Sequence, residues 1–361
     1  MKLSDALKIV ENCITNKTPV MLWGPPGIGK SSLIHQIARK LNFKVCDLRL
    51  AQLEPTDLRG VPMPNRETGR AEWYLPAFWP TSATKDTTRT ITDEEGTDTK
   101  VKVARGDCID GPGIIFLDEI EKAPISVKNA SLQLVLDRMV GAYKLPNDWS
   151  IVCAGNREED GCFSQPLGAA LSNRMIHLDI DVDLDAWGTW ARENGVIDDI
   201  ISFLHFSPSL LYKSAGEDHA FPTPRSWVMG SNLISGVKAQ REQKELLAAA
   251  VGKGAASEFV VWNNVYRSVD PEAILEKGQA MECAGKDASF RYAVALSCAF
   301  YLRKRKGGIK KIEDNVANFL AQLSPELRVI FLKQQTLQCM ESMSKVAAFK
   351  AEIQKVMRSI V

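Results

Sequence analysis

No stretch of this 361-residue chain approaches the run of about 18 uninterrupted apolar residues that a membrane-spanning helix needs. The opening segment, Met1-Lys2-Leu3-Ser4-Asp5-Ala6-Leu7, carries an acid within its first turns and has no long apolar core. A signal peptide is therefore not expected. Charge of one sign is missing too. Lys and Arg number 45 and Asp and Glu 44, a net charge of +1, so no bulk attraction to nucleic acid or to a membrane is implied. Histidine is scarce, with four residues, and the eight cysteines form no CxxC pair and no metal-type cluster with them. Reduced cysteines that pack as small apolar residues fit this pattern, and with them a reducing, cytoplasmic compartment. What remains is 45% hydrophobic and 25% charged, the composition of an ordinary soluble globular protein long enough for two or three domains.

One motif stands out against that plain background. Gly24-Pro25-Pro26-Gly27-Ile28-Gly29-Lys30-Ser31 fits the phosphate-cradling pattern GxxxxGK[ST], with Ser32 directly after it. The apolar run Pro19-Val20-Met21-Leu22-Trp23 before it reads as a buried strand. Leu33, Ile34, Ile37, Ala38 and Leu41 after it recur at helical spacing. Strand, glycine loop and helix together aim backbone N–H groups and a helix N-terminus at an anion. Lys30 would reach the β- and γ-phosphates, and Ser31 would hold Mg²⁺.

A second element narrows the chemistry. Ile114-Ile115-Phe116-Leu117-Asp118-Glu119 is an apolar run that ends in two acids. A strand buried on both faces of a parallel sheet reads as such a run, and ligands bind beyond its C-terminal end. Asp118 would complete the Mg²⁺ shell, and Glu119 would polarise a water for attack on the γ-phosphate. That pairing reads as a hydrolase.

Further strands are expected over Phe43–Leu48, Ile151–Ala154 and Ile176–Ile180, with helices over 3–14, 32–41 and 125–140. Strands alternating with helices predict an α/β fold around a parallel five-stranded sheet through about residue 182. A polar, threonine-rich excursion at 81–113 interrupts it. Arg89–Thr92 and Thr99–Ala104 flank an acidic turn there, which is a hairpin signal, and its role is left open. From Asp183 onward only helical stripes follow, at about 183–193, 197–206, 224–237, 243–263, 272–282, 287–306 and 325–358.

Together these segments resemble an AAA+ ATPase of the MoxR family. Asp118-Glu119-Ile120-Glu121-Lys122-Ala123-Pro124 is similar to the family's DExxxAP motif, Asp57-Leu58-Arg59-Gly60 to its D(V/L)xG, and Leu132–Arg138 to the helix that follows. The resemblance runs from the phosphate loop to about residue 237. It implies a nucleotide-binding core over 1–182, an all-α lid over 183–237 and a helical C-terminal region of unknown role over 238–361. It also implies roles for three more residues. Asn156, at the end of Ala154-Gly155-Asn156, would be the sensor 1 residue that orients the attacking water, although Asn after a strand is also an ordinary turn former. Arg174, in Leu171-Ser172-Asn173-Arg174-Met175, would be an arginine finger reaching a neighbouring subunit's γ-phosphate, or else a surface Arg beside a short helix. Arg225, after the expected N-cap Thr223 and Pro224, would be the sensor 2 arginine of the lid. Helix N-termini disfavour cations, so an Arg there suggests an anion nearby. Arg157-Glu158-Glu159 stands where relatives have a proline, and Arg157 is left as an open second phosphate contact.

ATP with Mg²⁺, a homo-oligomeric ring expected to be a hexamer, and a von Willebrand factor A domain partner follow from the resemblance. The client protein is not named by it, and ATP is favoured over GTP by the resemblance alone. Trp73-Tyr74-Leu75-Pro76 and Phe78-Trp79 fall in an expected loop, where they either engage a protein or pack beneath the excursion. The rival reading, a nucleic-acid motor, leans on Arg303-Lys304-Arg305-Lys306 with Lys310-Lys311. A helix ending at Gly307-Gly308 would also collect cations in its last turn, and no aromatic residues interleave with them.

Overall fold

The computed structural model describes residues 1–66, 69–80, 87–92, 98–103, 111–141, 143–157, 166–214, 219–279, 287–305, 308–343, 350, 353–354 and 356. They divide into two compact units, Met1–Asp183 and Leu184–Val361.

In the first unit, helix α1 (Leu3–Thr15) precedes strand β1 (Val20–Trp23), helix α2 (Lys30–Leu41), strand β2 (Lys44–Arg49) and the short helix α3 (Pro55–Arg59). Two hairpins follow, β3 (Val61–Asn65) with β4 (Arg70–Tyr74) and β5 (Thr87–Thr92) with β6 (Asp98–Val103). The rest runs through β7 (Gly113–Asp118), α4 (Ile125–Asp137), the small hairpin β8 (Met139–Val140) and β9 (Tyr143–Lys144), β10 (Trp149–Gly155), α5 (Ala169–Ser172) and β11 (Ile176–Asp179). Five of these strands form one sheet in the order β11-β1-β10-β7-β2, and every neighbouring pair is parallel. The central strands β7 and β10 are buried along nearly their whole length, which is why they read as unbroken apolar runs. Parallel pairing also sets all five C-terminal ends along one edge, where such sheets take ligands.

Local rules account for much of this. In α1, Ala6, Val10, Cys13 and Ile14 are buried at helical spacing. α2 and α4 end in left-handed residues, Asn42 and Arg138, and the left-handed Asn42 is a common way for a helix to stop. The expected hairpin of the excursion is present as β5–β6, and its acidic turn at 93–97 lies outside the described residues.

The expected loop around Trp73 is different. Trp73 and Tyr74 belong to β4, paired with Pro62 and Val61, and are 51% and 46% exposed. Trp79 is buried, and its indole N–H donates to the Leu58 carbonyl at 2.8 Å. The aromatics therefore divide, with Trp79 packed in the core and Trp73 and Tyr74 facing out.

The second unit is helical: α6 (Leu184–Glu193), α7 (Asp198–Phe206), α8 (Pro224–Ile234), α9 (Gln240–Val251), α10 (Lys253–Arg267), α11 (Pro271–Leu275), α12 (Ala288–Lys304), α13 (Glu313–Gln322), α14 (Pro325–Lys333) and α15 (Leu337–Met343). α12 is buried continuously from Ala293 to Phe300, so it sits at the centre of its unit. Phe203, Trp227, Phe259 and Trp262 form an aromatic cluster between α7, α8 and α10.

Several helical expectations change. The stripe at 243–263 is two helices, divided at Gly252, whose φ of +87° ends α9 and starts α10. The stretch at 325–358 breaks after Lys333, and its part at 344–349 lies outside the described residues. α13 was not expected. The helices read as a lid and those beyond residue 238 lie within the same unit.

Of the eight cysteines, Cys13, Cys46, Cys153, Cys298 and Cys339 are buried free thiols. Burial pushes Cys46 and Cys153 up to about 12. Cys108, Cys162 and Cys283 lie outside the described residues. Among the described residues, no helix is long and apolar enough to cross a membrane.

Candidate active site

Strand β1 hands the chain to the loop Gly24–Gly29, in which Gly27 and Gly29 take φ values of +77° and +103°. Gly29 is the N-cap of α2 and, having no side chain, makes no side-chain cap hydrogen bond to the first N–H groups of that helix. This is the arrangement an anion needs: open amides at a positive helix end. Pro25, Pro26 and Ile28 complete the loop's wall, and Ser32 continues the first turn of α2.

Lys30 is 8% exposed, and its ammonium is directed inward. Nζ donates to the carbonyls of Gly24 at 2.6 Å and Pro25 at 3.0 Å, and to Oδ1 of Asn156 at 2.9 Å. The cation is thus fixed among oxygens at the mouth of the loop.

Ser31 Oγ donates to Oδ2 of Asp118 at 3.3 Å. One residue follows the loop lysine and the other ends β7, so the sheet brings two hard oxygen donors together. Burial pushes the Asp118 carboxyl above its ordinary value, while the Glu119 N–H and the Lys30 charge pull it back. That N–H donates to Asp118 Oδ1 at 3.0 Å. Glu119 itself takes a left-handed backbone, φ +55°. Such a conformation costs a non-glycine residue about 1 kcal/mol or more, and here it turns the chain sharply off the end of β7. Its carboxylate is partly exposed and lies 3.4 Å from Lys122 Nζ.

Asn156 follows β10 and is buried, with its amide nitrogen 3.1 Å from Oε1 of Glu121. Glu121 is fully buried and was not among the expected site residues. A third acid in the run Asp118-Glu119-Ile120-Glu121 gives no local sign that it turns inward.

The three arginines are placed differently. Arg174 is exposed just before β11 and donates to the carbonyl of Ala170 on α5. Arg157 donates weakly, at 3.4 Å, to the Ile180 carbonyl and to Asp181, which ties the end of β10 to the end of β11. Arg225 is exposed in the first turn of α8, in the second unit, behind a capping box between Thr223 and Ser226. Lys30, Ser31, Asp118 and Asn156 are therefore brought together by contact. Glu119 adjoins them in the chain, no contact joins Arg174 to them among the described residues, and Arg225 belongs to the second unit.

The donor set suits Mg²⁺ held with a nucleotide. Among the described residues, no group of three or more His, Cys, Asp or Glu is placed to hold a metal alone. A hydroxyl and a carboxylate 3.3 Å apart at a phosphate cradle suit an ion that takes its remaining ligands from phosphate and water.

A glycine loop on one strand, with an acid ending a nearby strand of the same parallel sheet, defines a phosphate-loop nucleoside triphosphatase. The family comparison is more specific. Residues 20–175 match the model of the AAA family, "ATPase family associated with various cellular activities", and this part of the chain is an AAA ATPase domain. The match covers less than half of the chain.

No curated protein matches the sequence. Among solved structures, NtrX of Brucella abortus in complex with ATP is 14% identical, covering 99% of this chain and 67% of its own, with a TM-score of 0.34. The Thermotoga maritima RuvB Holliday junction branch migration motor is 13% identical, covering 89% and 75%, with a TM-score of 0.31. At such values these likenesses do not bear on substrate or assembly.

Proposed function

We propose that this protein is a MoxR-type AAA+ ATPase that hydrolyses ATP with Mg²⁺, forms a hexameric ring and remodels or matures a protein partner. The observation that carries the reading is the meeting of Lys30, Ser31, Asp118 and Asn156 at one end of the sheet. In this reading the loop amides and Lys30 hold the β- and γ-phosphates. Ser31 and Asp118 hold Mg²⁺, which when bound supplies positive charge against the phosphate oxygens. Glu119 takes the proton of the attacking water, and Asn156 orients that water.

Arg174 supports the ring. It is exposed, and an arginine finger must leave its own subunit to reach a neighbour's phosphate. Arg225 would report the nucleotide state from the helical unit. A von Willebrand factor A domain protein is the expected partner. The β3–β4 hairpin supports a protein client, since Val61, Met63, Trp73 and Tyr74 all stand at about half exposure on a single hairpin.

A nucleic-acid motor is less well supported. The basic run at the end of α12 is engaged within its own unit: Arg303 donates to the Gln334 carbonyl, Lys304 pairs with Asp198, and Arg305 pairs with Glu276. Lys306 and Gly307 lie outside the described residues.

The test is Mg²⁺-dependent ATPase activity against protein concentration, with and without single-stranded and duplex DNA, alongside mass photometry. Turnover that rises with hexamer formation and ignores DNA is expected. Concentration-independent turnover would remove the shared site, and strong stimulation by DNA would remove the protein-remodelling assignment.

A further inference from the structure

We propose that Glu121 is a positioning residue that holds the Asn156 amide with its oxygen toward Lys30, so that Asn156 meets the phosphate site as a hydrogen-bond acceptor. This rests on the ATPase reading above and adds a residue to it.

The orientation of the amide is determined from both sides. Lys30 Nζ, 2.9 Å away, can only donate, so the atom facing it is Oδ1. Oε1 of Glu121, 3.1 Å away, accepts, so the atom facing it is Nδ2. An amide can be turned over without changing its shape, and here both neighbours select the same arrangement.

Burying a carboxylate is costly unless it is compensated. Glu121 is 0% exposed. Lys128, also buried, donates to the Glu121 carbonyl at 2.8 Å, and the Glu121 charge opposes the burial that lowers the Lys128 pKa. Oε2 of Glu121 has no hydrogen-bond partner among the described residues. It lies over Gly155, where an added Cβ would come within 2.5 Å of it. A fully buried carboxylate with Asn156 as its side-chain partner suits a role in setting that amide. Gly155 leaves the space for it.

The chemical consequence is specific. An acceptor cannot bond an unprotonated γ-phosphate oxygen, whereas it can hold the Lys30 ammonium and take a hydrogen bond from the attacking water. Asn156 would then act on the cation and the water instead of on the phosphate.

Three variants test this, each read for kcat, for ATP affinity by calorimetry and for the melting midpoint without nucleotide. Glu121→Gln puts a group that donates as well as accepts beside the amide, so that position 121 no longer selects its orientation and only Lys30 does. Here kcat is expected to fall about tenfold while ATP affinity stays within about threefold. Asn156→Asp sets two carboxylates face to face, and both kcat and the midpoint are expected to drop. In the double variant, Glu121→Gln with Asn156→Asp, the carboxamide introduced at 121 donates to the carboxylate introduced at 156, whose other oxygen still faces Lys30. The expected result is a midpoint near that of the unaltered protein and kcat restored to within about threefold.

A double variant that melts normally yet turns over as poorly as Asn156→Asp alone would show that a donor is needed at 156, and would overturn the inference. Unchanged kcat in Glu121→Gln would do the same. If the double variant does not fold, Gly155→Ala, which crowds Glu121 from its place, is expected to lower kcat at retained affinity, and an unchanged kcat overturns the idea. Absence of hydrolysis by the unaltered protein would remove the proposed function. The inference would then be read from the midpoints, where recovery in the double variant supports it and simple additivity of the two losses overturns it.

Discussion

Lys30 Nζ lies 2.9 Å from Oδ1 of Asn156, so the phosphate-loop cation and the end of β10 are joined across residues 126 apart in the chain. The same ammonium also donates to the carbonyls of Gly24 and Pro25. A nucleotide phosphate entering the loop would meet a cation already largely shielded from water, which strengthens its electrostatic pull.

Lys30→Ala removes that charge and leaves the Gly24 and Pro25 carbonyls without its hydrogen bonds. ATP affinity should fall at least about a hundredfold, since hydrogen bonds to charged groups contribute about 1.5–3 kcal/mol each. Calorimetry is the check. Affinity equal to that of the unaltered protein would remove the phosphate-loop assignment.

Asp118 carries a pH signature. Burial, its largest influence, raises its pKa above the ordinary 3.8. A carboxyl raised in the folded state binds its proton more tightly there than when unfolded. Its contribution to stability is complete below about 3.8 and is lost as pH rises through the raised folded value. At neutral pH the ionised group therefore costs stability. Asp118→Asn should melt above the unaltered protein near neutrality, with the gap widening from acid pH and then levelling, while Mg²⁺-dependent turnover is lost. Melting curves across pH would decide it. A gap that narrows as pH rises would reverse the sign and refute the burial account.

Glu119→Gln keeps the shape of the side chain and removes its basicity. ATP should bind normally, while turnover falls about a hundred- to ten-thousandfold, the usual contribution of a general base. Phosphate release near the original rate would mean that another group takes the proton.

Arg174→Ala should fold and bind ATP yet lose turnover by about a thousandfold or more, the scale of an arginine finger. Mixing it with Glu119→Gln subunits should restore part of the activity, because some interfaces then regain both intact groups. If rings shown by native mass spectrometry to be mixed stay inactive, the finger does not act between subunits.

The legible part of the chain was the part governed by neighbours in sequence. The phosphate loop, the apolar runs of β7 and β10 and the capped start of α8 each depend on a few adjacent residues. Their periods and punctuation survive without knowledge of the fold. Helix limits in the second unit were less legible. The break after Lys333 follows from tertiary contacts: the Gln334 side chain accepts from Arg192, and its carbonyl accepts from Arg303. α13 was readable in principle, since Val316, Phe319 and Leu320 recur at helical spacing.

By itself the sequence determined the loop, the Asp118-Glu119 strand end and the α/β order, because steric and periodic rules act over a few residues. Only the tertiary structure decided that Glu121 turns inward to Asn156, 35 residues away, and that Asn156 meets Lys30. Those contacts follow from the parallel register of β7 with β10 and β10 with β1, which sets the strand ends beside one another. Register of this kind is settled by packing across the whole sheet, and so no local pattern records it.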